Sequence, residues 1–349
     1  MKKLLALLFC AALVLSLCSC KSSQAGSSDV ADTSSVGVPK TGTVANPLTG
    51  LQIKASLKNT KPVAVMINNI SIAQKVQTGL SGFDVIYETE VEGGITRMMG
   101  VAKDPAALAQ VGTVRSARYP YLDLALGHDA TYVHAGFDSK YFGAHRTELG
   151  IKTFDINSGA TAAYGFRQSN GLSSEHTLYT TGAKLTEGRN KLGWDETTDV
   201  TKWIDFSTEA VALTNPCTSV KVPFSGSYVT GFDYDAASGK YVKSSSGTVR
   251  TDYLTGEKLS VKNVFVLITD IHAYPDGYHM EVSLSGGSGY YISNGSCEPI
   301  TWQKGSATSP LTFKKADGSA FTANAGNSYI CIIDSDQAGG IALTAPAEQ

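Results

Sequence analysis

Apolar and polar positions alternate in short blocks along most of the chain, and the first apolar block stands apart from the rest. Residues 4–17 are an almost unbroken apolar run behind Lys2 and Lys3. A membrane-crossing helix needs ~20 such residues, so this shorter run reads as a secretory signal. Residues 61–68 predict a buried strand that begins behind a proline. Residues 84–92 and 95–102 predict two strands joined at Gly93-Gly94, a dipeptide suited to a tight turn with positive φ. A helix is expected over 119–126, a short apolar strand over 130–135 and a second helix over 138–149. This alternation predicts an α+β (or α/β) N-terminal domain with a mixed sheet, spanning 46–205. Past a boundary near 200–220, strand-like runs at 228–234, 261–270, 279–284, 290–293 and 328–333 are split by Gly, Ser and Asn. They predict a smaller β-rich domain over 215–336, and the two domains are expected to fold as separate units.

Composition adds a compartment. Charged residues are 17% of the 349, against about 25% in an average globular protein. The formal charge of −2 becomes more negative without Lys2 and Lys3, which excludes nucleic-acid binding through bulk charge. Residues 21–45 contain no Leu, Ile or aromatic side chain and read as a flexible tether, with a root-mean-square span on the order of 25–30 Å. The run Leu17-Cys18-Ser19-Cys20 resembles the bacterial lipobox. Cleavage after a signal peptide of residues 1–19 would leave Cys20 to carry a diacylglycerol, although an ordinary signal peptide cut nearby is the alternative. Acyl chains at Cys20 would hold the protein on the outer face of the cell membrane. Cys217, Cys297 and Cys331 remain. They are odd in number and lack Cys-x-x-Cys spacing, so buried free thiols are favoured over a disulfide framework or a zinc site.

Two stretches carry candidate chemistry. Strict alternation along 84–92 puts Glu88, Glu90 and Glu92 on one face and, with a two-residue loop, sets Glu90 opposite Arg97. This is either a solvated acidic face with one ion pair or a carboxylate-lined cleft beside Arg97. The run Val114-Arg115-Ser116-Ala117-Arg118 precedes the first predicted helix, whose amino terminus would favour an anion. Arg115, Ser116 and Arg118 thus form either a phosphate or carboxylate site or the neutralising partners of the acidic face. His134 ends a strand, and His145 and His176 follow without tight metal-ligand spacing, so no metal is expected. No phosphate-binding glycine loop is present, and no cofactor is expected. Tyr119, Tyr121, Tyr141 and Phe142 are either core or the lining of a glycan or peptide groove.

The runs Pro47-Leu48-Thr49-Gly50, Glu92-Gly93-Gly94-Ile95-Thr96-Arg97, Val114-Arg115-Ser116-Ala117-Arg118 and Val133-His134-Ala135-Gly136 together resemble the YerB-type lipoproteins. The likeness extends over 46–195, and a second module near 220–335, with Lys262-Asn263-Val264-Phe265-Val266, resembles that family's second domain. Glu175-His176-Thr177 and Phe137-Asp138 depart from the family's usual Pro-His-Asn and Gly-Ser. The resemblance implies a lipoprotein of a family without a known function. The residues themselves point to a binding or accessory module for a wall polymer or an envelope partner, with Arg97, Arg115 and Arg118 lining an anion site and Glu88, Glu92, Ser116, His134 and His176 as further candidates. The alternative is an enzyme of phosphoryl or glycan chemistry on an envelope substrate, using a hairpin Glu as base.

Overall fold

The computed structural model describes residues 42–194, 197–198 and 203–346. The signal peptide, Cys20 and most of the expected tether lie outside these residues. The last tether residues, Thr43–Ala45, already form a strand paired with Gln52–Lys54. Between these two strands, the turn through Asn46 and Gly50 buries Leu48 completely, and Gly50, at φ 73°, lies where a Cβ would meet Phe206 at 2.4 Å.

In chain order the main strands are β1 Val63–Ile67, β2 Val85–Glu92, β3 Ile95–Ala102, β4 Thr131–His134, β5 Phe154–Asp155, β6 Asn215–Pro216, β7 Ser219–Pro223, β8 Val229–Asp235, β9 Lys240–Ser245, β10 Asn263–Thr269, β11 Gly286–Ser293, β12 Ser296–Lys304, β13 Leu311–Lys315 and β14 Ser328–Asp334. The main helices are α1 Tyr119–Gly127, α2 Phe142–Glu148 and α3 Gly182–Leu192. The apolar runs at 61–68, 84–92, 95–102, 130–135, 228–234, 261–270, 290–293 and 328–333 each fall on one of these strands. Helix α1 starts with Pro120 in its first turn, where a missing N–H costs nothing. Helix α2 is shorter than expected because Asp138 Oδ1 accepts from the N–H groups of Tyr141 and Phe142.

Eleven strands join in one mixed sheet, ordered β6-β12-β11-β10-β14-β2-β3-β1-β4-β5, with β13 paired to β12. Strand β14 lies between β10 and β2 and is parallel to both, pairing Ser328 with Val85 and Ile332 with Thr89. A strand from near the carboxyl end is therefore built into the middle of the sheet that the first half begins. The mixed sheet and the β-rich second half are as expected, but the two halves do not form separate units. Residues 40–349 make one compact unit, and without β14 the edge of β2 would stand unpaired along a buried stretch.

The two faces of the sheet carry separate cores. Val63, Val65, Ile67, Ile86, Met98, Val264 and Tyr329 face a six-stranded sheet containing β7, β8 and β9, which contributes Val220, Phe232 and Tyr241. Ala64, Met66, Tyr87, Met99, Phe265 and Ile330 face α1 through Tyr121, Leu122 and Ala125. This division decides which candidate residues can meet.

Candidate functional site

The β2–β3 hairpin turns at Gly93 and Gly94 as expected, at φ 47° and 81°, the pair of positive values that a primed turn requires. Its register is not the strict alternation of the sequence reading. Thr89 pairs with Arg97, Glu90 with Thr96 and Glu92 with Ile95, so Val91 is an extra residue. Such a bulge turns the following side chain to the other side of the sheet. Glu88 therefore faces β8 and β9, whereas Glu92 faces α1. Glu90 is not opposite Arg97, and its Oε1 instead accepts the turn N–H of Gly94 at 2.7 Å.

On the α1 side, Glu92 sits between Arg97 and Arg118. Arg97 reaches its Oε2 at 3.1 Å, and Arg118 approaches Oε1 through Nη2 and, at 2.6 Å, through Nε. The side chains of Glu92, Arg97 and Arg118 are only 4%, 7% and 13% exposed. Burial pushes the Glu92 carboxyl up, but the two guanidinium groups outweigh it and hold the group below the ordinary carboxylate range. Burial, reinforced by Arg118 and opposed by Glu92, brings Arg97 down to about 10, so it stays charged at neutral pH. Arg97 also donates to the carbonyl of Ser116 at 2.9 Å, which is how Ser116 enters this cluster. The predicted anion site is thus occupied from within, and Arg97 and Arg118 neutralise a carboxylate of the hairpin.

The remaining candidates form further groups. Arg115 pairs with the exposed Glu175 at 2.8 Å, and the buried His176 lies between Glu175 (3.3 Å) and Asn68 (2.9 Å). The side chain of Asn68 donates to His176 Nδ1, which leaves Nε2–H to face Glu175. His134 is completely buried. Its Nδ1 meets the Gly136 carbonyl at 3.0 Å and its Nε2 meets the Thr153 hydroxyl at 2.8 Å. Desolvation takes its pKa down to about 4, so it is neutral and fully partnered. Tyr121 and Phe142 are core, while Tyr119 and Tyr141 are half-buried. The candidate residues Glu88, Glu92, Arg97, Arg115, Ser116, Arg118, His134 and His176 do not converge on one cleft. The bulge at Val91 separates the two carboxylates, and the sheet lies between them.

Glu88 leads to a different site. It is 1% exposed and accepts four hydrogen bonds: from Asn69 and Thr96 at Oε1, both 2.8 Å, and from Thr230 (2.9 Å) and Tyr329 (2.6 Å) at Oε2. The ammonium of the equally buried Lys243 stands 3.9 Å from Oε2 and donates to Ser245 at 2.9 Å. Desolvation lowers the Lys243 pKa and Glu88 counters it. Glu88 lies against a polar pocket of about 260 Å³ between the halves of the chain. Its walls come from Ser71 and Gln74 on one side and from Ser227, Thr230, Ser245 and Arg250 on the other. Arg250 crosses the junction to donate to the Gln74 carbonyl. Sequence reading found Glu88 but missed Thr230, Lys243, Arg250 and Tyr329. A lysine within a short alternating strand and an arginine just past one give no local sign of their surroundings, and only the pairing of the two halves brings Lys243 to Glu88 and Arg250 to the same pocket.

The family described as "Protein of unknown function (DUF3048) N-terminal domain" matches residues 48–195, and its "C-terminal domain" counterpart matches residues 220–330. "Putative lipoprotein YerB" of Bacillus subtilis (strain 168) is 28% identical over 263 residues, covering 74% of this chain and 77% of that protein. The crystal structure of YerB protein from Bacillus subtilis superposes with a TM-score of 0.73 at 24% identity, covering 86% of this chain and 99% of that one. This likeness establishes the two-domain fold.

Proposed function

The chain belongs to the DUF3048 family, both of whose domains it carries, and from that premise we propose that it is a lipid-anchored binding protein of the cell envelope. On this reading Cys20 carries the lipid, residues 21–45 hold the folded unit off the outer face of the membrane, and the pocket beside Glu88 takes a wall component or an envelope partner. The role is accessory rather than catalytic. One observation carries the binding reading: a pocket whose lining comes from both halves and is rich in polar side chains, the buried Glu88 among them. Pockets at domain junctions, lined by a few convergent polar groups, are where small ligands are usually held. The enzyme alternative needs a hairpin carboxylate free to take a proton. Of the three, only Glu90 stands outside the two clusters, and it is bonded through one oxygen to the Gly94 N–H and lies outside the pocket lining. Glu92 is held between two arginines, and Glu88 has both oxygens filled by donors.

The test has two arms. Cys20→Ala is expected to move the protein out of the membrane fraction or to leave it as uncleaved precursor. Full-length protein in detergent is expected to bind soluble fragments of digested cell wall in a saturable way. Wild-type protein that binds no wall fragment and crosslinks to no envelope protein in intact cells would refute the binding reading. A Cys20→Ala protein that remained detergent-extractable at mature mass would refute the anchor.

A further inference from the structure

Arg250 differs from the arginines that the sequence singled out. Arg97 and Arg118 share Glu92, and Arg115 has Glu175. Among the described residues no carboxylate pairs with Arg250. Its guanidinium donates to the Gln74 carbonyl, and its Nε, closed off from solvent, has no acceptor. The carboxylate that shares its pocket, Glu88, has both oxygens filled by four donors and faces Lys243 as its cation. Lys243, behind the wall, thus answers the charge of Glu88, and Arg250 is left on the pocket wall without a carboxylate of its own. Arg250 is half-buried, and a partly desolvated cation without a counter-charge is stabilised when an anion arrives with the ligand.

We infer that the pocket takes a small ligand that presents one carboxylate to Arg250 and hydroxyl or amide groups to the serine- and threonine-lined wall, either a sugar acid or the carboxyl end of a short peptide. This rests on the proposed binding role and specifies its chemistry. A guanidinium donates through a planar fork that matches the two oxygens of a carboxylate. The hydroxyls of Ser71, Ser227, Ser245, Ser246 and Thr248 line the same pocket and both donate and accept, as a polyol or a peptide group requires. A volume of about 260 Å³ admits one sugar ring or a dipeptide and excludes a longer polymer except at its end.

The experiment is a calorimetric titration of full-length protein in detergent. The probes are glucuronate against glucuronamide, N-acetyl-alanyl-alanine against its amide, and inorganic phosphate. At least one carboxylate is expected to bind about tenfold or more tightly than its amide. Arg250→Gln is expected to abolish that preference and Arg250→Lys to keep part of it. Thr248→Trp, an exposed rim position, is expected to block binding without disturbing the fold. The sugar and peptide arms identify the source of the carboxylate. Equal binding of acid and amide, a preference that survives Arg250→Gln, or phosphate bound more tightly than either acid would overturn the inference while leaving the binding role standing. Wall fragments that bind wild type and Thr248→Trp equally would place the ligand elsewhere and overturn it too. No binding of any probe would overturn the inference, and the binding role falls with it only if wall fragments also fail to bind and no envelope protein crosslinks in intact cells.

Discussion

Replacing Glu92 by glutamine tests the reassignment of the arginine cluster, because it removes one charge and almost no volume. In the native fold Glu92 is the shared counter-ion of two guanidinium groups that are 7% and 13% exposed. Glutamine can still accept from one of them, but it leaves two cations facing each other in a poorly hydrated site. Breaking a buried ion pair by removing one partner typically costs about 3–5 kcal/mol, and Glu92→Gln falls at that level because two cations lose their partner. Arg118→Gln leaves Glu92 balanced by Arg97 and removes only charge-assisted hydrogen bonds, so about 1–3 kcal/mol is expected. Arg115→Gln breaks a pair whose acid is 53% exposed, and its effect stays within about 1 kcal/mol. The assay is urea unfolding of the three variants at pH 7. Their order, with Glu92→Gln far ahead of Arg118→Gln and Arg115→Gln last, is the signature of a structural cluster. An anion-binding cluster gives the opposite sign, since like charges that wait for a ligand relax when one is removed.

Acid titration supplies an independent check on the same residue. The Glu92 pKa is lowered in the fold, so the stability this group contributes is fully present above its unfolded value near 4.5 and is lost as pH falls through the lower native value. The gap between wild type and Glu92→Gln is therefore expected to be widest at neutral pH and to narrow below about pH 4.5. A Glu92→Gln protein within 1 kcal/mol of wild type at pH 7, or a gap that does not change with pH, would refute the reasoning.

Four further outcomes follow from the shared sheet and its cores. Residues 46–205 expressed alone are expected to lack a cooperative unfolding transition, because β2 loses β14; a soluble, cooperatively folded fragment would contradict this. Limited proteolysis of the whole chain should accordingly leave one resistant core, with no pair of stable halves. Gly100→Ala would bring a Cβ within 2.2–2.4 Å of the Phe83 ring and is expected to cost about 1–3 kcal/mol in thermal or urea unfolding; a neutral variant would show that the ring can move aside. Cys217, Cys297 and Cys331 are buried free thiols, so a maleimide is expected to label none of them in the native protein and all three after denaturation. Stoichiometric labelling under native conditions would refute that.

Much of the fold was legible because burial leaves a pattern in the chain. The five-residue run of β1 is apolar at every position because both its faces are covered, and the strand is buried throughout. The Gly93-Gly94 turn was legible because few other residues adopt positive φ twice in succession. What the sequence did not show was how far the two halves depend on each other. Strand β14 reads locally like any other apolar run, and nothing within residues 328–334 indicates that its partner lies more than two hundred residues earlier.

The candidate site failed at one residue, and the reason is geometric. Strand alternation has a period of two, so a single inserted residue reverses the face of everything beyond it. Val91 is that residue. It is apolar like its neighbours, sits on the α1 side of the core and carries no glycine or proline to mark a break. Strict alternation across it groups Glu88 with Glu92, whereas the fold gives Glu92 to the arginines and Glu88 to the opposite face. The same insertion creates both environments: one carboxylate shared by two buried guanidinium groups, and another saturated by hydroxyl and amide donors at the junction of the halves. Arg250 follows from this division. Without the inserted residue Glu92 would stay on the β8/β9 side with Glu88, and Arg97 and Arg118 would lose their shared counter-ion. With Glu92 turned to the α1 side, Glu88 is matched by Lys243, and Arg250 is the cation left without a carboxylate among the described residues. The position of that cation, against hydroxyl-lined walls drawn from both halves, is a property of the tertiary pairing, and no spacing within either half encodes it.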